Sequence, residues 1–261
     1  MVFSRTRQER LHGPRGGLLS QIKSLGGKWI DQYPMSAHDP PFADRAEAGR
    51  WLAEKLSARA LRDVVVYALP RGGTPVAFEI ARALNAPLDL VLVRKIGAPG
   101  QPELALAAVV DGAAPHTVIN QDVQRLTGAS PEYLAQARTR ELAEIERRRR
   151  LYFADRQRPD PKGKTAIVVD DGLATGATAR AAIEGLRAQG VAKVILAVPV
   201  APPETATAFR AEVDDVVCLA EPADFRGVGR FYADFHQLAD EEVLELLDAA
   251  AAFGTPRSAV A

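Results

Sequence analysis

Apolar and polar positions follow a regular rhythm from residue 44 onward. Across residues 45–60 the apolar Ala48, Trp51, Leu52, Leu56 and Ala60 recur every three to four positions, which predicts an amphipathic helix. Residues 64–69 are β-branched and continuously apolar, the pattern of a strand covered on both faces. Arg71-Gly72-Gly73 then turns the chain into a second helical pattern over residues 75–84. Residues 88–93 read as a second buried strand, and the stretch holding Gly97, Pro99, Gly100 and Pro102 as a long loop. Ser130 followed by Pro131 is a helix start signal, and the helical pattern behind it runs to about residue 150. After a polar connection at 156–164, strands are predicted at 165–169, 194–198 and 213–219. Helices at 177–188, 204–211 and 240–250 alternate with and follow them.

Strands that alternate with helices argue for βαβ units. The expected fold is α/β: a doubly wound, mostly parallel five-stranded sheet flanked by helices. Residues 1–40 carry five glycines, clustered charge and no sustained period, and read as a loose extension. Met35 stands just before the ordered pattern, at the place of an alternative translation start. Residues 41–252 form one expected domain and 253–261 a tail.

Charge and composition narrow the function classes. Lys plus Arg and Asp plus Glu are both 33, so no global basic field exists and no nucleic-acid partner is expected. The single cysteine, Cys218, excludes an intramolecular disulfide and a cysteine-rich zinc site and suits a reducing compartment. Apolar runs such as residues 104–110 fall far short of the ~18 residues of a membrane helix, so no membrane partner is expected. The charged first ten residues lack the apolar core of a signal peptide, and the expected location is cytoplasmic.

In doubly wound sheets ligands bind beyond the carboxyl ends of the strands. After the strand at 165–169 the chain reads Asp170-Asp171-Gly172-Leu173-Ala174-Thr175-Gly176-Ala177-Thr178. Adjacent carboxylates accept hydrogen bonds from vicinal sugar hydroxyls or reach a hard cation. The Ala174–Thr178 turn opens a helix, where free N–H groups, the positive helix end and two hydroxyls suit a phosphate. Gly176 would let the backbone approach that phosphate closely. Diol and phosphate side by side describe a ribose 5-phosphate. A P-loop would need Gly-Lys-Ser/Thr, which is missing, and Arg71-Gly72-Gly73 lacks the third glycine of a dinucleotide fingerprint.

An apolar strand, two acidic residues and a Thr/Gly loop together resemble the signature of the type I phosphoribosyltransferases. Ala68-Leu69-Pro70-Arg71-Gly72-Gly73 is similar to that family's pyrophosphate-binding loop. Arg94-Lys95 and the Gly/Pro stretch behind it resemble its basic residue and mobile catalytic loop. A bacterial subgroup shares the stretches at 70–73, 93–97 and 231–235, and the resemblance covers about residues 42–247. It implies transfer of ribose 5-phosphate from 5-phosphoribosyl 1-diphosphate to a nitrogen acceptor such as a nucleobase. Mg²⁺ would be held mainly through the substrate, with no metal cage of protein ligands. Arg71 and Lys95 would meet the charge on departing pyrophosphate, helped by the Gly72 and Gly73 backbone. Asp170 and Asp171 would hold the ribose, and Ala174, Thr175, Gly176, Ala177 and Thr178 the 5-phosphate. The loop at 97–109 would close over the site. A small hood at about 220–237, with Phe225, Phe231, Tyr232 and Phe235, would cover the base. A homodimer stays open.

One position departs from the pattern of the family's 6-oxopurine branch, where a carboxylate serving the purine N7 stands at the place of Ala174. Alanine cannot move a proton, which argues against hypoxanthine or guanine as acceptor. Two other classes keep the same ligand: a non-catalytic sensor of the phosphosugar, and a hydrolase of a phosphosugar or nucleotide. Glu103 is either a residue of the closed site or a solvated loop acid. The run Arg147–Arg150 follows Glu144 and Glu146 at helix-pair spacing and reads as a solvated face. His12, His38, His116 and His236 show no metal-ligand spacing, and Cys218 reads as a buried inert thiol.

Overall fold

The computed structural model describes residues 41–254 apart from 113, 114 and 155. The extension at 1–40, with Met35, and residues 255–261 lie outside the described residues. Helix α1 (Arg45–Ser57) starts under Asp44, whose carboxylate accepts from Glu47 N at 2.7 Å. Its Ala48, Leu52 and Leu56 are buried, whereas Trp51 is 43% exposed and meets Phe42 edge-on. Strand β1 (Val64–Ala68), helix α2 (Gly73–Leu84) and strand β2 (Leu88–Leu90) follow. Next come β3 (Val93–Ala98), β4 (Gln101–Val110), β5 (His116–Ile119), α3 (Gln121–Thr127) and α4 (Pro131–Tyr152). The second half alternates β6 (Thr165–Val169), α5 (Ala177–Ala188), β7 (Lys193–Val200), α6 (Pro203–Glu212) and β8 (Asp215–Ala220), and ends with α7 (Asp240–Ala249).

Five strands form one parallel sheet in the order β2-β1-β6-β7-β8. Successive side chains on a strand face opposite sides, so each apolar run feeds two cores. Val66, Ala68, Ile167 and Val169 join the core under α1, α2 and α7. Val65, Tyr67, Ala166 and Val168 join the core under α5 and α6. The helix after β1 therefore covers one face and the helix after β6 the other. β1 and β6 are adjacent and end level, Ala68 opposite Val169. Their outgoing loops diverge and leave a crevice, which is the switch point of a doubly wound sheet.

Two expectations need correction. The strand expected over 88–93 ends at Leu90: Val91 N makes a last hydrogen bond to Ala68 O at 3.0 Å, and Leu92 leaves the sheet. The segment expected as a mobile loop over 97–109 is an antiparallel hairpin of β3 and β4, extended by β5. Pro99-Gly100 is its two-residue turn: proline presets the first φ and Gly100 takes φ +71°, while Ala98 pairs with Gln101. The apolar run 104–110 is β4, with Leu106, Val109 and Val110 buried. The hairpin docks at its root, because a Cβ on Gly185 of α5 would come within 2.6 Å of Val110 Cγ1. Along its length α4 packs against it, with Tyr133 Oη donating to Gly97 O at 2.9 Å.

The expectations for α4 and for Cys218 hold. Ser130 caps α4, accepting from Tyr133 N at 3.2 Å. On α4, Arg147 and Arg148 pair with Glu144 and hold its carboxyl down at about 2, while Arg150 pairs with Glu146. Arg149 leaves this face and approaches the buried Asp111. Cys218 is mostly buried in β8, and burial pushes its thiol up to about 12, so it is inert as a nucleophile. The chain stays packed as far as Phe253, whose ring meets Phe78 at 5.6 Å. Among the described residues, no helix is long and apolar enough to cross a membrane.

Candidate active site

The crevice at the switch point is a cleft of about 400 Å³. Its floor is made where the loop after β1 touches the loop after β6. Leu69 N donates to Val169 O at 2.8 Å, and Gly73 N donates back to Leu69 O at 3.0 Å. The Pro70–Arg71 peptide is cis. Glycine is required at both turn positions. A Cβ on Gly72 would stand 2.2 Å from Asp171 Oδ2, and one on Gly73 would stand 2.6 Å from Val169 O. The Arg71-Gly72-Gly73 turn and the acidic pair are therefore in direct contact.

Helices α2 and α5, twelve residues each, both begin at this floor. Their N-cap residues are Gly72 and Gly176, and neither carries a side-chain cap. Asp44, Asn120 and Ser130 cap three other helices with their side chains, whereas α6 and α7 start at Pro202 and Ala239 without one. In α2, Gly73 N and Thr74 N donate to Leu69 O and Arg71 O, and Pro75 has no N–H; in α5, Ala177 N donates to Thr175 Oγ1 at 3.4 Å. What the two helices offer the cleft is chiefly the positive end of each dipole, which favours anions. Loop 174–176 is held from outside. Thr205 Oγ1 donates to Ala174 O at 2.9 Å, and Arg180 Nη1 donates to Thr175 O at 2.8 Å. Gly176 sits at φ +72°, and a Cβ there would meet the Phe209 ring at 2.4 Å. The need for glycine here lies in backbone conformation and in packing on α6. Ala174 and Thr175 are exposed, whereas Thr178 lines the cleft.

Asp170 accepts from Asp171 N through Oδ1 at 2.9 Å. Burial holds both carboxyls above their usual range, Asp170 the more strongly because the Asp171 charge adds to burial. Asp171 is partly relieved by Arg45, whose Nε donates to Asp171 Oδ2 at 2.8 Å. Arg45 also donates from Nη1 to His236 O at 3.0 Å and lies 3.9 Å over the Phe235 ring. Tyr232 Oη completes the support by donating to Asp171 O at 2.6 Å. Arg71 faces the cleft with Nη1 3.4 Å from Asp240 Oδ1, and Tyr152 Oη donates to the same oxygen. The Tyr152 hydrogen bond, and after it Arg71, keeps the Asp240 carboxyl below its usual value.

Residues 231–240 form the roof. Phe42 and Ala43 pair with this segment: Phe42 N donates to Phe231 O, and Ala233 N donates to Phe42 O. Phe231 and Tyr232 are buried in the core shared with α1 and the sheet, Phe225 stacks on Phe231 at 5.8 Å, and Phe235 alone of the four reaches the cleft. His236 lies on the cleft wall between Glu242 and Asp234, which together push its pKa up. Lys95 stands apart. It is exposed on β3 opposite Ala108 and does not line the cleft, and its neighbour Arg94 pairs with Glu141 at 2.8 Å. The side chain of Glu103 lies outside the described ones.

Arg45, Tyr232, Asp240 and Tyr152 are absent from the sequence-based site. Arg45 left one signal: it is a cation in the first turn of a helix, where the helix dipole disfavours positive charge. For a metal, the acidic pair offers the hard oxygens that Mg²⁺ prefers. Among the described residues, no group of three or more His, Cys, Asp or Glu gathers to hold an ion by itself. The acidic pair is the part of the cleft that fits a divalent cation.

Comparison with known proteins agrees with this geometry. A model of the phosphoribosyl transferase domain matches residues 43–236. Two Mycobacterium tuberculosis proteins, of strains CDC 1551 and H37Rv, each named "putative phosphoribosyl transferase", are 46% identical over 209 residues. The alignment covers 80% of this chain and 47% of each relative, so the chain spans about half the length of the curated relatives it matches. The crystal structure of TT1426 from Thermus thermophilus is similar with a TM-score of 0.70 at 42% identity, covering 79% of this chain and 97% of that one. With the acidic pair, the Gly-Gly turn and both uncapped helices inside the matched residues, the chain belongs to the phosphoribosyl transferase domain family.

Proposed function

We propose that the chain is a phosphoribosyltransferase that moves ribose 5-phosphate from 5-phosphoribosyl 1-diphosphate to a nitrogen acceptor, a nucleobase, and releases pyrophosphate. One observation carries the reading: the acidic pair meets the Arg71-Gly72-Gly73 turn at the point where two uncapped helices begin. Carboxylates for a diol thus lie between the positive ends of two helices, which suits a sugar bearing phosphate groups at both ends. Asp170 and Asp171 would accept from the ribose hydroxyls, and the 174–178 loop would hold the 5-phosphate. The first turn of α2 and Arg71 would face the diphosphate and stabilise the charge that grows on it as the C1–O bond breaks. Mg²⁺, when bound, would neutralise diphosphate oxygens beside the acidic pair. The electron-poor C1 centre would be trapped by water if exposed, and the roof at 231–240 limits that access.

A second reading rests on the position of Lys95. With this lysine exposed and away from the cleft, the same geometry would serve a protein that binds the phosphosugar without turning it over. Base-dependent release of pyrophosphate separates the two. Release that vanishes in Asp170→Asn/Asp171→Asn supports the transferase, and tight binding without release supports the sensor.

A further inference from the structure

A second cavity, of about 230 Å³, lies at the far edge of the sheet. It is bounded by β1 and the ends of β2 and β4, by the polar connection before β6, and by the C-terminal end of α5. It shares no lining residue with the cleft. The phosphate loop opens α5 and this cavity closes it, about 18 Å apart along a twelve-residue helix.

The charges in this cavity cancel. Arg158 reaches Asp89 Oδ2 and Asp111 Oδ2 at 3.0 Å each and donates to Leu90 O at 3.1 Å. Arg149 Nη1 lies 3.4 Å from Asp111 Oδ1. Two carboxylates against two guanidiniums leave no net charge for an ionic ligand. What remains is hydrogen-bonding capacity. Among the described residues the Tyr67 hydroxyl is buried without a hydrogen-bond partner, and Asp111 Oδ1 has no hydrogen bond beyond its ion pair with Arg149. Tyr67 is 2% exposed and Asp111 3%. Buried polar groups are normally satisfied, and leaving the hydroxyl unmatched beside open space is costly unless something fills it. The two are complementary in kind: a hydroxyl able to donate, and a carboxylate oxygen with a second lone pair able to accept beside its ion pair. Val91, Leu186 and Pro159 supply apolar walls, and the volume exceeds the share of a single water severalfold.

From this placement we infer that the cavity binds a small uncharged ring with adjacent carbonyl and N–H groups, a cyclic amide or imide. Its carbonyl accepts from Tyr67 Oη, its N–H donates to Asp111 Oδ1, and its faces lie between the apolar walls. The site is independent of the phosphosugar cleft and of the activity proposed there.

The probe is 2-pyridone, the smallest planar ring with both groups, titrated calorimetrically into the full chain and soaked into its crystals. The expected result is saturable binding that weakens at least tenfold in Tyr67→Phe and is unchanged in Asp170→Asn/Asp171→Asn. Tyr67→Phe should melt no lower than the wild type, because the hydroxyl removed has no partner in the protein. Equal affinity of wild type and Tyr67→Phe would overturn the inference. So would a lower melting temperature of that variant, tighter binding of guanidinium or phosphate, or a soaked crystal with only ordered water against Tyr67.

Discussion

At the residue scale the site is a set of enforced close contacts that carry a cost in stability. Asp170 titrates above the ordinary carboxylate range because of burial and its charged neighbour. A carboxyl whose folded pKa exceeds its unfolded value binds its proton more tightly when folded. Its penalty is absent at low pH and grows as pH rises from the ordinary value towards the raised one. Asp170→Asn keeps the acceptor for Asp171 N and removes that charge. It should raise the melting temperature at pH 8 by ~2–4 °C, equivalent to about 1 kcal/mol, with the gain shrinking towards pH 4. A thermal scan across that range checks this, and a lower melting temperature at pH 8 would contradict it. Gly176 behaves oppositely. A left-handed residue costs ~1–2 kcal/mol when it carries a Cβ, and the Phe209 ring adds a clash. Gly176→Ala should therefore lower the melting temperature by ~4 °C or more as well as ribose 5-phosphate affinity. In a Phe209→Leu background the loss should be smaller, which a double-mutant cycle measures.

At the scale of elements, the parallel sheet was legible because strands buried on both faces are continuous apolar runs, as at 64–68 and 165–169. The hairpin escaped notice because its turn, Pro99-Gly100, has the composition of a loop while its backbone joins paired strands. That difference bears on function, since Lys95 sits on the hairpin and outside the cleft. If the transferase reading holds, the hairpin must shift as a unit to bring Lys95 to the diphosphate. Amide exchange over residues 93–110 should then slow only when phosphoribosyl diphosphate and Mg²⁺ are both present. Lys95→Ala should lower kcat by roughly 30-fold, about 2 kcal/mol in activation free energy, with little change in donor affinity. Unchanged exchange, or equal losses in binding and turnover, would remove Lys95 from the chemistry.

At the scale of the whole molecule, the site joins chain segments that local reading cannot connect. The acidic pair and its loop were legible because nine consecutive residues carry them. Arg45 stands 126 residues from Asp171, and Asp240 stands 169 residues from Arg71. Only the packing of α1 and α7 on the same face of the sheet brings those partners in. The roof is tied to the floor by these same arginines, Arg45 through His236 O and Arg71 through Asp240. The most direct measurement of the central claim is pyrophosphate release from phosphoribosyl diphosphate with Mg²⁺, across a panel of nucleobases, for the wild type and Asp170→Asn/Asp171→Asn. The account predicts release that requires one base class and is lost in the double variant. Tight donor binding with no release for any base, or release that survives the double substitution, would contradict it.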